Sequence, residues 1–244
     1  MTKGGGKDLT IDILFIWTAF KEIIRALPIT LILTILPLLA GFIIGLAVAL
    51  IRIYKVKFLS GIANGYVSFF RGTPIIMHIM LIYFGFPLLI DQISKKFDLG
   101  IQSNSIPIIL FVLTALSLSA GAYLSEIFRS GIISVSNGQM EAAYSVGMNS
   151  FQAMTRIVLP QAIAQSIPNF TNIFIGFLHT SSIAFIVSQK EMTGAANIVA
   201  STNLKFLESF IAAGLIYWGL TIIAEGLSFL IEKKATAYNR GGVQ

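Results

Sequence analysis

The side chains that could carry out catalysis in this sequence are few and far apart. The sequence has no cysteine and only two histidines, His78 and His179, which excludes a thiolate metal site and argues against a multi-histidine one. No glycine-rich phosphate loop follows a strand-like run. The glutamates show no Asp-x-x-Asp or His-Glu pairing, since they are scattered at Glu126, Glu141, Glu191, Glu208 and Glu225. We therefore expect neither a membrane-embedded enzyme nor ATP hydrolysis by this chain, and no bound metal or cofactor.

Polar side chains inside apolar runs form a second group of candidates. Polar groups are costly within a membrane, so they usually face a cavity or a neighbouring helix. Asn172 and His179 lie seven residues apart, near one helix face, and could line a path for a zwitterion. The alternative is that such side chains only tie helices together by hydrogen bonds. The candidates for a substrate pathway are Arg71, Thr73, His78, Tyr123, Asn169, Asn172, His179, Thr180 and Ser181.

The composition identifies the environment in which these groups lie. Of 244 residues, 55% are hydrophobic and 11% charged, whereas soluble domains carry about 25% charged residues. The mean hydropathy is +0.82, which leaves too little polar surface for a cytosolic enzyme or a disordered binder. The net charge of +6 is spread between long apolar runs rather than collected on one face, which argues against nucleic-acid binding. The sequence therefore predicts an integral membrane protein.

Five apolar runs are long enough to cross a bilayer as helices, which takes roughly 20 residues each. They predict an all-α membrane protein with spans at residues 26–51, 72–90, 99–125, 168–188 and 209–231. Residues 1–25 precede the first span, and Ile13, Ile16, Trp17 and Phe20 recur there at helical spacing. This pattern predicts an amphipathic helix on the membrane surface. Residues 233–244 form a predicted tail.

Charge sets the predicted orientation. The basic residues divide almost evenly between the two sides, but the short loop after the first span contains Arg52, Lys55 and Lys57 and no acidic residue. Short basic loops stay in the cytoplasm. We therefore predict that the N-terminus lies outside the cell and the C-terminus in the cytoplasm.

A polar segment between the third and fourth spans has a specific pattern over about residues 136–160. Ser136 or Asn137 could cap a helix, and Asn149–Ser150 reads as a second turn. Ala143 and Gly147 fall four residues apart, on one predicted helix face open to close approach. The segment thus predicts two short cytoplasmic helices joined by a tight turn. The plain alternative is an amphipathic connector that packs only on its own bundle.

The segment resembles the EAA loop of ABC-importer permeases. The matching residues, at the spacing of that loop, are Glu141, Ala142, Ala143, Gly147, Ile157, Leu159 and Pro160. Phe70–Pro74 reads FRGTP, which is similar to the signature of permeases for polar amino acids, as is Gly121–Tyr123 with Glu126 and Arg129. His179 stands where that branch usually has a lysine. Two further segments, Ser182–Phe185 and Tyr217–Trp218, resemble permeases for cystine and related sulfur amino acids.

The resemblance implies a type I ABC-importer permease fold over residues 26–232, with the loop as a coupling helix in a cleft of a separate ATPase. It implies two copies of that ATPase, which would hold ATP and magnesium, and a second permease subunit, identical or homologous. It also implies an extracytoplasmic amino-acid-binding protein and the cytoplasmic membrane of a prokaryote. The alternative is an ATP-independent channel or secondary transporter; many secondary transporters contain inverted repeats, and none is visible in the sequence.

Overall fold

The computed structural model describes residues 11–240, and all regular structure in that range is helical. A 3₁₀ turn at Ile24–Ala26 joins the first two helices, and another at Ser181–Val187 follows the eighth. The helices are α1 (Ile13–Ile23), α2 (Leu27–Ile53), α3 (Leu59–Gly72), α4 (Ile75–Phe97), α5 (Ile108–Ile133), α6 (Asn137–Ser145), α7 (Ser150–Ala153), α8 (Leu159–Thr180), α9 (Met192–Asn203) and α10 (Phe206–Arg240).

Five helical stretches in the described range are long and apolar enough to cross a membrane, as the sequence predicts. Their ends differ from the predicted ones. The third begins at Ile108 rather than at residue 99, because Pro107 caps the start of α5. The fourth is one continuous stretch from Ser150 to Val187, and Pro168 lies inside α8 instead of starting a span. Neighbouring helices and side chains can satisfy the backbone group that a proline frees in a membrane helix.

The pair α2 and α5 forms the centre of the molecule. Gly41 and Gly45 of α2 lie one turn apart, and α5 crosses directly over them. A Cβ added to Gly41 would lie 2.5 Å from the Cβ of Ala120, and one added to Gly45 would lie 2.9 Å from the carbonyl oxygen of Gly121. Small residues spaced by four allow two membrane helices to bring their backbones together. The two helices are therefore held by backbone contact.

Two hydrophobic cores hold the long helices together. The larger core includes Leu33, Ile79, Leu116 and Phe177, contributed by α2, α4, α5 and α8. The smaller one joins α1, α9 and α10. Its fully buried members include Ala19, Ile23 and Met192. One face of α1 packs against α9 and α10, and α1 continues through the 3₁₀ turn into α2. The position of α1 on the membrane surface stays a prediction.

Candidate functional site

The polar segment after α5 folds as two short helices, as predicted. Ser136 caps α6 and accepts a hydrogen bond from the backbone N–H of Gly138 at 3.3 Å. Asn149 caps α7 in a reciprocal pair with Gln152, at 2.9 and 3.0 Å. Between the two helices Gly147 has φ +81°, a conformation that glycine adopts without steric cost. Local capping and turn chemistry therefore accounts for the shape of this segment.

A small core holds the segment onto the helices on either side. Val135, Val158 and Ala162 are buried together, with Ile132, Met140 and Met154 against them. The residues from Met154 to Val158 form a turn of π-helix that leads directly into α8. Ile157, Leu159 and Pro160 are partly buried along this return path. A displacement of α6 and α7 would thus be passed to both α5 and α8.

The outward face of the segment includes three exposed hydrophobic side chains. Tyr144 is 46% exposed, Val146 72% and Phe151 77%, and Glu141 and Ala142 are also exposed. We refer to these five residues as the loop surface.

The predicted packing face of Ala143 and Gly147 is wrong. Ala143 is only 4% exposed and points inward, while α6 ends at Ser145, so that Gly147 forms the turn that follows it. The i, i+4 spacing assumed that the helix continued for two more residues.

A charged cluster surrounds Glu126 on α5. Its carboxylate accepts hydrogen bonds from Arg52 of α2 at 2.5 Å and from Arg129 at 2.8 Å, and the guanidinium of Arg71 lies 3.7 Å away. Arg52 also donates to the side chain of Asn64 on α3 at 2.8 Å. One carboxylate therefore joins the ends of three helices and faces three guanidinium groups.

A cavity of about 360 Å³ opens beside this cluster. It is lined by Arg71, Tyr123, Glu126, Ser130, Asn169 and Asn172, with apolar side chains between them. The Arg71 guanidinium carbon lies 5.8 Å from the centre of the Tyr123 ring, and its side chain is 45% exposed. Four of the predicted pathway residues, Arg71, Tyr123, Asn169 and Asn172, thus line one cavity. We call it the charged cavity.

Thr73 and His78 lie elsewhere, at the break between α3 and α4. His78 is 1% exposed; its two ring nitrogens lie 2.7 Å from the Thr73 hydroxyl and 2.9 Å from the Ser119 hydroxyl. The imidazole also packs against the ring of Phe70 at 4.7 Å. These contacts tie α4 to α3 and α5, which fits the alternative that polar side chains connect helices.

The remaining candidates are also separated from the charged cavity. His179 lines a second cavity with Tyr217, so Asn172 and His179 do not share one cavity as their spacing predicts. Ser181 is buried, and its hydroxyl donates to the carbonyl of Leu178 at 2.7 Å. Thr180 is partly buried at the end of α8.

The list of pathway candidates leaves out Glu126, Arg52 and Arg129. The sequence does contain a signal for this cluster, because Glu126 is a charged residue at the end of an apolar run. A charge inside an apolar helix is costly, so this carboxylate needs partners. Among residues 11–240, no three histidine, aspartate or glutamate side chains converge as metal ligands.

Known proteins are similar to this chain over most of its length. Residues 38–237 match the family described as binding-protein-dependent transport system inner membrane component. The probable amino-acid permease protein YxeN of Bacillus subtilis (strain 168) is 43% identical, over 92% of this chain and 96% of that protein. The L-cystine transport system permease protein TcyL of the same organism is 37% identical, over 85% and 84%. The solved structure of an amino acid ABC transporter with histidines is 32% identical and superposes with a TM-score of 0.79, covering 93% of this chain and 100% of that one.

Proposed function

Because this chain belongs to the family of binding-protein-dependent transport system inner membrane components, we propose that it is the permease subunit of an ATP-driven importer. The importer moves a polar amino acid across the cytoplasmic membrane. Cystine or a related sulfur amino acid is the first candidate to test, since the relative TcyL bears the name of an L-cystine system. ATP and magnesium would bind to a separate ATPase subunit.

The exposed loop surface is the observation that carries this proposal. A permease without nucleotide chemistry of its own needs a surface on which an ATPase can act. Phe151 and Val146 are more than two-thirds exposed at the tip of a well-capped segment. Aromatic and apolar side chains of this kind anchor protein interfaces, and Glu141 beside them could form a polar contact at the rim.

The contacts of the loop suggest how the movement of an ATPase could reach the cargo. The segment is joined to α5 and α8 through its small core and its π-helical turn. The same two helices carry Tyr123, Glu126, Asn169 and Asn172, which line the charged cavity. A shift of the loop surface would therefore move two walls of the cavity relative to Arg71 on α3.

One chain supplies one half of such a pathway. We propose a second permease subunit, identical or homologous, as the simplest two-fold arrangement. Each permease would engage one ATPase copy, and an external binding protein would deliver the amino acid. In this arrangement the N-terminus faces outward, and the loop surface and the C-terminal tail face the cytoplasm.

The direct test is purification of the tagged chain from its native membrane in mild detergent, with identification of the co-eluting proteins. We expect an ATPase at stoichiometric yield. Glu141→Lys should reduce its recovery, whereas Glu232→Lys should not, because Glu232 is an exposed carboxylate at the far end of α10. Reconstituted complexes should take up labelled cystine only when ATP is supplied.

A second pair of variants tests the turn. Gly147→Val should reduce ATPase recovery because a β-branched residue is strained at φ +81°. Gly147→Asn should retain the ATPase, since asparagine tolerates this conformation. Chains that elute without any ATPase, or ATPase recovery unaffected by both Glu141→Lys and Gly147→Val, would contradict the proposal. Uptake of cystine without ATP would favour an ATP-independent channel.

A further inference from the structure

A groove of about 340 Å³ lies between α8 and the second half of α10. Its walls include the apolar side chains of Ile167, Phe170 and Phe174 from α8 and of Leu227 and Ile231 from α10. None of its eight lining residues is charged. The groove would leave both charges of an amino acid without a partner, so it is unsuited to the proposed cargo. We call it the apolar groove.

Two hydroxyl groups line the apolar groove, and the protein uses both of their protons. Thr171 donates to the carbonyl oxygen of Ile167 at 3.1 Å. Since the Thr171 proton is committed, Ser228 donates to the Thr171 oxygen, and this bond joins α8 to α10. The lining therefore offers a ligand no side-chain hydrogen-bond donor. Such a surface suits a hydrocarbon chain, which needs none.

The length of the apolar groove fits within one leaflet of a bilayer. Ile167 and Phe174 are seven residues apart on α8, as are Ala224 and Ile231 on α10, which corresponds to about 10 Å along each helix. The hydrocarbon core of a bilayer is about 30 Å thick, so one leaflet provides about 15 Å. The groove therefore has room for a large part of one acyl chain.

A positive charge lies just beyond the end of the apolar groove. Lys234 is exposed, and it follows Ile231 by three residues and Leu227 by seven, which places it on the same side of α10. A lysine near the end of a membrane helix can extend its ammonium group to the lipid headgroups. Glu232 lies at the other edge of this side, but residues 232–234 contain two lysines and one glutamate, a net charge of +1. This balance favours an anionic headgroup over a neutral one.

The position of the apolar groove on α8 also favours lipid over a second permease as its occupant. Asn169 and Asn172 line the charged cavity. With 3.6 residues per turn, they lie on the side of α8 opposite to Ile167 and Phe174 of the groove. In the proposed function the charged cavity faces the second permease, because each permease supplies one half of the pathway. The groove then faces away from that partner, toward the membrane.

We propose that the apolar groove binds one acyl chain of an anionic phospholipid, and that Lys234 contacts the phosphate of the same lipid. The chemistry of the site follows from the lining and the lysine. Only the direction in which the groove faces rests on the proposed function. The bound chain fills the space between α8 and α10 and so stabilises α8 on the side opposite to the charged cavity.

The test is native mass spectrometry of the chain with its co-purified partners, after removal of lipid in detergent. Dioleoyl phosphatidylglycerol or dioleoyl phosphatidylcholine is then added at increasing concentration, and the bound lipids are counted. We expect phosphatidylglycerol to saturate at one lipid per chain. Phosphatidylcholine has the same acyl chains and no net charge, and it should bind about fivefold more weakly, the contribution of one lysine at a membrane surface.

One pair of variants tests the acyl-chain site. Leu227→Trp places a larger side chain in the apolar groove and should weaken the binding of both lipids about tenfold, because the added volume competes with the acyl chain. Leu230→Trp makes the same replacement outside the groove and should leave binding unchanged. Leu227 and Leu230 are both 57% exposed, so the two replacements are matched.

A second pair of variants tests the headgroup contact. Lys234→Glu should weaken the binding of phosphatidylglycerol at least about fivefold and leave phosphatidylcholine unchanged. Lys233→Glu makes the same change of charge on the opposite side of α10 and should keep the preference for phosphatidylglycerol.

Three outcomes would overturn the proposal: equal binding of the two lipids by the wild type, phosphatidylglycerol binding unchanged in both Leu227→Trp and Lys234→Glu, or no binding of added lipid. The last result would mean that protein covers the apolar groove. The ATPase content of the same samples separates this failure from failure of the proposed function. A complex that contains the ATPase and binds no lipid contradicts only the lipid site. A chain that binds phosphatidylglycerol and elutes without any ATPase contradicts only the importer.

Discussion

Glu126 and Glu191 are two carboxylates withdrawn from water in opposite surroundings. Glu126 lies among three guanidinium groups. Glu191 is fully buried, and its partners are two backbone N–H groups at the start of α9 and one tyrosine hydroxyl. The loss of hydration of a carboxylate can be offset by cations or by oriented dipoles. The chain uses cations at one site and dipoles at the other.

The difference determines what each neighbouring cavity can offer a ligand. Around Glu126 the guanidinium groups outnumber the carboxylate, and Arg71 lines the charged cavity. A guanidinium group in a cavity wall favours a carboxylate ligand. Around Glu191 the donors are two backbone N–H groups and one tyrosine hydroxyl, and none of these groups carries a charge.

Removing Glu126 should have the largest effect. In Glu126→Ala three guanidinium groups lose their shared partner, at a cost of about 3 kcal/mol, near the lower end for breaking a buried ion pair. The apparent Tm of the detergent-solubilised complex, followed by tryptophan fluorescence, should fall by roughly 10 °C. Glu232→Ala removes an exposed carboxylate and serves as the control. Equal melting of the two variants would mean that the cluster contributes little to stability.

The packing around the helices also differs between the two regions. Glu126 lies on α5, which packs closely against α2, whereas α10 has open space around Gly219. Gly41→Ala would force a methyl group against the backbone of Ala120 and Gly121 and should cost about 2 kcal/mol. The same change at Gly219 of α10, which has open space around it, should be neutral or stabilise the helix by up to about 1 kcal/mol. The measurement is the difference between the melting temperatures of Gly41→Ala and Gly219→Ala, and we expect Gly41→Ala to melt lower. If Gly41→Ala stabilised the chain, the close approach of α2 and α5 would be contradicted.

The smallest effect concerns Glu191 and depends on pH. Burial raises the pKa of the Glu191 carboxyl, and its hydrogen bonds from Thr193, Gly194 and Tyr217 offset part of that rise. Because the pKa is higher in the folded state, the protonated carboxyl stabilises the fold at pH values below the ordinary glutamate pKa. This stabilisation is lost as the pH rises through the pKa of the folded state.

Glu191→Gln removes this titration at the cost of one N-cap acceptor, about 1 kcal/mol. The variant should therefore melt furthest below the wild type at pH 4 and approach it as the pH rises toward 8. Glu22→Gln makes the same replacement at an exposed position of α1 and is the matched control. If the difference in melting temperature between Glu191→Gln and the wild type grew with pH, the pKa of Glu191 would be lowered in the folded state and not raised.

The parts of the molecule that depend on short-range chemistry could be predicted from the sequence. The caps at Ser136 and Asn149 and the turn between them follow from residues within a few positions of each other. The five spans follow from hydropathy alone. The inward orientation of Ala143 does not, because it depends on Val135, Val158 and Ala162 coming together beneath the segment.

The charged cluster could not be predicted because its members come from α2, α3 and α5, and only their packing brings Arg52 and Arg71 to Glu126. The sequence does contain one signal for that packing, the pair Gly41 and Gly45 at the spacing of a close helix crossing. Such a pair identifies one side of the contact only, and nothing local specifies Gly121 as its counterpart. The separation of Asn172 from His179 likewise follows from which helices neighbour each end of α8.

The π-helical turn at Met154–Val158 has a mechanical consequence for the loop. A π-helical turn contains one more residue than the α-helical turn that it replaces, and here it lies directly between the loop surface and the helix that lines the charged cavity. If the π-helical turn became an α-helical turn, the extra residue would move out of it. This change would rotate α7 by about 100° around the axis of α8 and shift it by about 1.5 Å along that axis. The extra residue in the π-helical turn therefore allows α7 to rotate relative to α8 while both helices stay intact.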